Sequence, residues 1–157
     1  MCKIAFEEIV ILAKNRSGWK LIEYIDIKED DIERYHNVTR ERNLGKCCGK
    51  SVQWLRDNIE QQEKTIDDRL FSDAESRRDE WNRLKPFFDE IMSNDEENII
   101  IVSHGDLLSV FNTMFLGLDV ETINACEMFG LAGGVSYMFE NNEGKRFIKR
   151  ISDMSYI

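Results

Sequence analysis

The sequence lacks a cysteine pattern that could hold a metal ion. Its four cysteines do not have the spacing of metal ligands, and the neighbouring Cys47 and Cys48 are poorly placed to bridge each other. Together with Cys2 and Cys126 they are interpreted as reduced thiols, which are typical of a cytoplasmic protein. We therefore expect no structural metal, no disulfide framework and a cytoplasmic location.

Long apolar runs and targeting signals are also lacking. No run is long enough to span a bilayer, which argues against a membrane protein. The first residues are partly apolar, but Glu7 and Glu8 interrupt them, and neither a positively charged leader nor a small-residue cleavage site is evident. We expect neither a membrane span nor a secretion signal.

Positive charge is scarce relative to negative charge. The chain has 21 Lys and Arg against 30 Asp and Glu, so its formal net charge is -9. A general nucleic-acid or membrane-surface partner would need a clustered positive footprint, so this balance argues against both. An anionic ligand would have to be held by a local pocket. The length of 157 residues, 42% of them hydrophobic, fits one domain over residues 1–157 without internal repeats.

The most informative stretch present is NIIIVSHGDLLSVFNTMFL, residues 98–116. Four consecutive β-branched residues, 99–102, predict a strand buried on both faces. From Asp106 onward the apolar spacing changes to the rhythm of a helix, with the core-facing positions Leu107, Val110, Phe111, Met114 and Phe115. The tripeptide between the two elements contains His104.

His104 is thus expected at the carboxyl end of a strand and just before a helix. In open α/β sheets this position collects ligands, because free backbone amides and the helix dipole suit an anion such as phosphate. Asp106 has two possible roles here, since its carboxylate could cap the helix or could repel an anion. A single histidine in a loop is also typical of a surface or packing residue, and that alternative stays open.

A second informative stretch is VTRERNLGKCCGKS, residues 38–51. Glu41 is flanked by Arg40 and Arg42, and Gly45 and Gly49 allow left-handed backbone conformations. A solvated charged loop is the alternative interpretation of this pattern. The segment is not a Walker phosphate loop, because its glycines lack the required spacing and no clear strand precedes them.

The remaining patterns predict further helices and strands. We expect helices over residues 3–16, 52–62, 73–93 and 119–128, and strands over residues 19–27, 135–140 and 145–152. We expect an acidic turn or short helix over residues 28–35 and a polar loop over residues 64–72. Turns are expected over residues 131–134 and 141–144. His36 is interpreted as an exposed loop residue.

The helix predicted over residues 73–93 has one apolar stripe, which indicates a core-facing helix rather than a cofactor site. Pro86, the only proline, lies within it and removes one helical hydrogen bond. We therefore expect a kink or a break near Lys85. The stripe consists of Trp81, Leu84, Phe87, Phe88, Ile91 and Met92.

Four motifs in this order resemble those of the histidine phosphatase superfamily, in its phosphoglycerate mutase-like branch. They are VTRERNLGKCCGK, FSDAES followed by Arg83, IIIVSHGDLLSVF and GGVSYMFENNEGKRFIKRISDMS. The resemblance implies an α/β fold, a three-layer α/β/α sandwich with a mostly parallel sheet. It also implies phosphomonoester hydrolysis or phosphoryl transfer, a phosphorylated small molecule or phosphate as partner, and no cofactor.

The resemblance implies roles for individual residues. In this family one histidine, in an Arg-His-Gly motif, attacks the phosphomonoester, a second histidine and two arginines hold the phosphoryl group, and a glutamate protonates the leaving oxygen. His104 matches the second histidine and Glu41 matches the glutamate. The substrate-binding candidates are Arg40, Ser103, Gly105 and Arg69, and no residue is assigned to a metal.

The sequence departs from the family pattern because it contains no Arg-His-Gly. It is interpreted as the family fold without its amino-terminal third, and the second clamp arginine of the family would then fall on Met1. We expect the chain to be inactive for lack of the nucleophile. We also expect a homo-oligomer, because an uncovered strand edge can pair with a strand of another chain.

The sequence leaves two alternatives to an enzyme of this lineage. The first is a non-catalytic pseudophosphatase that binds an anion or a partner protein. The second, hydrolysis by Cys47 or Cys48 with His104, is disfavoured because nothing in the local sequence indicates an activated thiol.

Overall fold

The computed structural model describes residues 12–15, 18–21, 37–93 and 99–155. Expectations for Met1, His36 and residues 28–35 lie outside the described residues. The predicted homo-oligomer and the cytoplasmic location stay predictions. Among the described helices, none has the length and apolar character that a bilayer crossing requires.

A short hairpin replaces the helix expected over residues 3–16, as far as that range is described. Strand β1, Leu12–Asn15, pairs antiparallel with β2, Gly18–Leu21, and Asn15 lies opposite Gly18. The helix prediction is therefore wrong for residues 12–15. Pairing between the two strands outweighs the weak local helix pattern. The strand predicted from residue 19 is confirmed over residues 19–21.

Helix α1, Val52–Asn58, confirms the helix predicted from residue 52 but ends before residue 62. Ser51 caps it, since its hydroxyl accepts a hydrogen bond from the Trp54 amide at 3.1 Å. After the helix, the Glu60 amide donates to the Leu70 carbonyl at 3.1 Å, so the backbone turns to meet the following loop. Residues 64–72 form no helix or strand, as predicted for a polar loop.

Helix α2, Arg77–Met92, begins four residues later than predicted because Ser76 is its N-cap. Ser76 and Asp79 form a capping box in which each side chain bonds the backbone amide of the other. The helix runs through Pro86, so the break considered near Lys85 is wrong. Pro86 is exposed, whereas Phe87 and Phe88 are buried, and their burial outweighs one missing hydrogen bond.

Helix α3, Gly105–Phe115, confirms the helix predicted after His104. Its five predicted core positions are all buried and share one cluster with α2. Phe88 and Phe111 meet edge to face, with their ring centroids 5.4 Å apart. The predicted apolar stripe of α2 is confirmed, because Leu84 is fully buried and the remaining stripe residues are buried or half-buried against the same cluster.

Residues 99–104 lead into α3 without forming a strand, so the strand predicted over residues 99–102 is wrong. Ile101 packs partly against the core, but Val102 is 44% exposed. A β-branched run gives the propensity for a strand, while a strand forms only beside a pairing partner. No strand pairs with this segment among the described residues.

The carboxyl-terminal part agrees closely with the sequence prediction. Strand β3, Val135–Glu140, pairs antiparallel with β4, Arg146–Asp153, across a turn in which Asn141 accepts bonds from two amides. Before it, a 3-10 helix, Val120–Asn124, is shorter than the helix predicted over residues 119–128. The turn at residues 131–134 closes through a 2.7 Å bond from the Gly134 amide to the Leu131 carbonyl.

The described elements are mixed helices and two-stranded antiparallel sheets, which are compatible with an α/β class. Both strand pairings seen in residues 12–15, 18–21 and 135–153 are antiparallel. The three-layer sandwich and the mostly parallel sheet stay predictions.

Leu84→Ala tests the interface of α2 and α3. Leu84 is fully buried in the core cluster, so its truncation should lower the free energy of unfolding by about 2–5 kcal/mol. Asn82→Ala is the control, because Asn82 is exposed on the same helix and should change stability by less than about 0.5 kcal/mol. Urea unfolding measures both. Equal small effects would show that the two helices do not form the core described here.

Candidate functional site

One hydrogen bond joins the two informative stretches of the sequence. The Ser103 hydroxyl donates to the Thr39 carbonyl at 2.8 Å. Ser103 immediately precedes His104, and Thr39 lies two residues before Glu41. Stretches separated by 64 positions in the chain are therefore neighbours in the fold.

His104 lies at the N-cap of α3, with an extended backbone and an exposed side chain. Its side chain makes no capping hydrogen bond. Its carbonyl accepts from the Leu108 amide at 2.9 Å, which starts the helical ladder. The imidazole is thus beside the positive end of the helix dipole and is open to solvent, a position suited to an anion.

Gly105 is required by packing at the start of α3. A Cβ on this residue would lie 2.6 Å from the Gly130 carbonyl oxygen and 2.9 Å from the Phe129 ring. The Gly130 amide also donates to the Gly105 carbonyl at 3.3 Å. The loop containing residues 129–130 therefore lies directly against the backbone that follows His104.

Glu41 is half-buried in an irregular segment that follows the helical residues 37–39. Its Oε1 accepts a hydrogen bond from the Arg42 amide at 3.0 Å. That contact is local and fixes the carboxylate relative to its own backbone. The placement of the segment itself depends on residues farther along the chain.

Arg83 and Glu75 hold the Glu41 segment against α2. Arg83 Nη1 donates to the carbonyls of Val38 at 2.8 Å and Arg40 at 3.1 Å, while its Nε donates to Glu75 at 2.9 Å. The Asn43 amide donates to Glu75 at 2.8 Å. Although burial raises the pKa of Glu75, the bonds from Arg83 and the Asn43 amide outweigh it, and the pKa lies below the ordinary value.

Arg40, a predicted substrate contact, is engaged inside the protein. Its Nη2 and Nη1 donate to the two carboxylate oxygens of Glu75 at 2.8 and 3.2 Å. In this bidentate pair, Arg40 binds Glu75 with the same two nitrogens that it would need to bind a phosphate or carboxylate ligand. Arg40 thus fixes the loop beside Glu41 in this structure.

Arg69, the other predicted arginine, precedes α2 in the chain and contacts its first turn. Its Nη2 is 2.7 Å from Asp79 and its Nη1 donates to the Ala74 carbonyl at 2.9 Å. It lines an open cleft of about 320 Å³ whose other lining residues, mostly acidic or polar, are Glu60, Gln61, Asp67, Asp68 and Ser72. No contact within residues 37–93 and 99–155 brings Arg69 to His104, and the acidic lining does not suit an anion.

Asp106 connects α3 to two arginines that the sequence analysis did not select. Its Oδ1 accepts from Arg77 Nη2 at 3.3 Å, and its Oδ2 lies 3.4 Å from Arg42 Nε. The capping role expected for Asp106 is not observed, because its carboxylate faces guanidiniums instead of the first amides of the helix. Arg77 also contacts Glu80 at 3.3 Å and Glu127 at 3.0 Å.

Glu80 is fully buried beneath this cluster. Arg77 approaches its Oε2, while its Oε1 has no hydrogen-bond partner among the described residues. Burial raises the pKa of Glu80 to about 7, the nearby charge of Asp106 adds to this, and the cationic Arg77, Arg42 and Arg83 oppose it. For Arg77, burial lowers the pKa, but the surrounding carboxylates, Asp106 first, raise it above the ordinary value.

Sequence reasoning missed Arg42, Arg77 and Glu80 as parts of this site. Glu80 could have been identified, because it lies four residues before Leu84 on the core-facing side of α2. Arg77 lies three residues before Glu80, the spacing of a helical ion pair. Within residues 37–93 and 99–155, no three His, Cys, Asp or Glu side chains are grouped so as to hold a metal ion.

Comparison with known proteins gives one family match. The model of the histidine phosphatase superfamily (branch 1) matches residues 33–153, which include both Glu41 and His104. No curated protein and no solved structure matches the chain.

Glu80→Gln tests the buried carboxyl. Since the pKa of Glu80 is raised from 4.5 to about 7, the folded state keeps a proton that the unfolded chain releases, and this stabilisation is complete below pH 4.5 and is lost as the pH rises through 7. Above pH 7 the wild type carries a penalty on the order of 3 kcal/mol that glutamine avoids. The free energy of unfolding of Glu80→Gln relative to that of the wild type should therefore increase as the pH rises from 5 to 8.

Urea unfolding of the wild type and of Glu80→Gln at pH 5 and at pH 8 measures this gain. The exposed Glu143→Gln is the matched control and should leave the pH profile unchanged. A stability difference between wild type and Glu80→Gln that does not vary with pH would show that Glu80 titrates normally.

Proposed function

The chain belongs to the histidine phosphatase superfamily (branch 1), and from this premise we propose that residues 37–43 and 103–106 form the phosphoryl-binding part of a phosphomonoester site. The hydrogen bond from Ser103 to Thr39 is the observation that carries the proposal. It makes neighbours of the two segments that contain Glu41 and His104. The family match covers both segments.

His104 and the first amides of α3 bind the phosphoryl oxygens in this proposal. An exposed imidazole at a helix N-cap offers a donor, and it adds positive charge when protonated. The backbone amides of the first helical turn have no helical partners and point along the helix dipole. Ser103 places His104 through its bond to Thr39, and Gly105 lets the chain pass close to residues 129–130.

Glu41 is the proposed proton donor to the leaving oxygen. Cleavage of a phosphomonoester leaves negative charge on that oxygen, so a nearby carboxylic acid lowers the barrier by protonating it. Arg40 holds the backbone beside Glu41 in place through its ion pair with Glu75. Arg69, which faces an acidic cleft, would contact only an outer part of a substrate.

We further propose that these 157 residues do not turn over phosphomonoesters by themselves. The family mechanism needs a nucleophilic histidine in an Arg-His-Gly motif, and the sequence contains no such motif. A non-catalytic protein that binds an anion or a partner is the second candidate. It is favoured by the fact that His104 is the only histidine among the described residues.

Inorganic phosphate should bind weakly at His104. With Arg40 paired to Glu75, we expect a dissociation constant no lower than about 1 mM, which corresponds to about 4 kcal/mol. Titration of phosphate against the imidazole proton resonances measures it, and His104→Ala should weaken binding several-fold. Equal binding by His104→Ala, or no shift of the His104 signals, would place any anion site on another surface.

Turnover of p-nitrophenyl phosphate should be negligible. Loss of the nucleophile from a catalytic unit removes roughly 10⁴-fold or more of the rate, which leaves only binding and charge effects. Release of nitrophenolate, followed by absorbance, should not exceed the rate shown by His104→Ala. Turnover that depends on His104, or phosphohistidine at His104 after incubation with a phosphoryl donor, would overturn this expectation.

A further inference from the structure

Two guanidiniums converge on one carboxylate at the start of α3. Arg77 donates to one oxygen of Asp106 at 3.3 Å, and Arg42 Nε lies 3.4 Å from the other. Asp106 is two residues beyond His104. A carboxylate held between two arginines has the partners that a phosphate would require.

The buried arginine has capacity left for a ligand. The Arg42 side chain is only 5% exposed, and its outer nitrogens bond Glu63 at 2.5 and 3.2 Å. Its Nε makes no hydrogen bond among the described residues although it points at Asp106. A fully buried Nε without a hydrogen bond is costly, and a better-placed acceptor at this point would satisfy it. The Asp106 side chain is 21% exposed, so solvent reaches part of it.

We propose that Asp106 is a built-in competitor for the anion, occupying the position between Arg42 and Arg77 where the oxygens of a phosphate or phosphomonoester would otherwise bind. The inference rests on the proposed function, since it concerns the same phosphoryl site. It assigns the cationic contacts to Arg42 and Arg77, whereas the predicted Arg40 is paired with Glu75 and the predicted Arg69 with Asp79.

The local charges explain why this competition would be effective. Arg42 and Arg77 contribute two positive charges, against which stand four carboxylates, Asp106, Glu63, Glu80 and Glu127. Glu80 is the carboxyl whose pKa burial raises to about 7, so it is partly neutral near that pH. Among these four carboxylates, Asp106 is the one that contacts both arginines. Its negative charge therefore repels an incoming anion and also blocks the cations that would attract it.

Asp106→Asn tests the proposal by a gain of binding. Asparagine keeps the shape of the side chain, can still accept a bond from Arg77 and removes one negative charge. Calorimetry with inorganic phosphate should show affinity about tenfold or more above the wild type, because a unit charge a few ångströms away is removed from a partly buried position. Unchanged or weaker binding would overturn the proposal.

Glu127→Gln is the matched control for the charge change. Glu127 lies 3.0 Å from the same Arg77 nitrogen that contacts Asp106, but it does not touch Arg42. Its neutralisation should raise phosphate affinity by no more than about twofold. An equal gain in Glu127→Gln and Asp106→Asn would contradict competition at the arginine pair and indicate a general effect of net charge.

Two double variants separate this inference from the proposed function. Arg77→Gln in the Asp106→Asn background should abolish the gain, and a gain that survives would contradict the assignment of Arg77. His104→Ala in that background should lower the affinity again. If it does not, the arginines bind phosphate without His104, and the proposed function fails while the arginine site stands.

The reverse outcome is equally distinct. If Asp106→Asn brings no gain while His104→Ala weakens binding to the wild type, the proposed function stands and the competitor role of Asp106 is wrong. Thermal unfolding of each variant checks the fold. Should Asp106→Asn not fold, Asp106→Ser makes the same charge change with a residue favoured at helix starts, and the same gain is expected.

Discussion

The guanidinium of Arg83 determines where the segment that carries Glu41 lies. This segment is irregular after residue 39, so it cannot place itself through a helix or sheet. Arg83 donates to two of its carbonyls and is held in turn by Glu75, which also accepts from the Asn43 amide. Because Arg83 belongs to α2 and α2 shares its core with α3, the same helix pair positions both Glu41 and His104.

The charged side chains around the site have two different roles. Around Glu75, arginines and a carboxylate neutralise one another and fix a loop, which makes Arg40 a support for Glu41. Around Asp106, carboxylates outnumber arginines, so the excess negative charge lies next to the proposed phosphoryl site.

The elements predicted best from the sequence are those whose structure is determined by local patterns. Helix α3 and the hairpin of β3 and β4 follow from apolar periodicity and turn residues within a short window, and the structure has both. The irregular run at residues 99–104 depends on whether a pairing strand is present, which its local window does not contain. The hairpin of β1 and β2 does lie within one short window, and there the strand pairing outweighs the weak helix pattern that gave the wrong prediction. The site divides in the same way. His104 and Glu41 were predicted through motifs, whereas Glu63, Asp106 and Glu127 are brought to Arg42 and Arg77 by folding across 21 to 64 positions.

In the proposed function, residues 37–43 and 103–106 form one anion site. Backbone amide shifts during titration of the whole chain with inorganic phosphate test it most directly, because each amide reports its own surroundings. We predict that the amide resonances of Gly105 and Asp106 and those of residues 39–42 shift together, with one common dissociation constant. Shifts confined to only one of the two segments, or different dissociation constants for them, would contradict it.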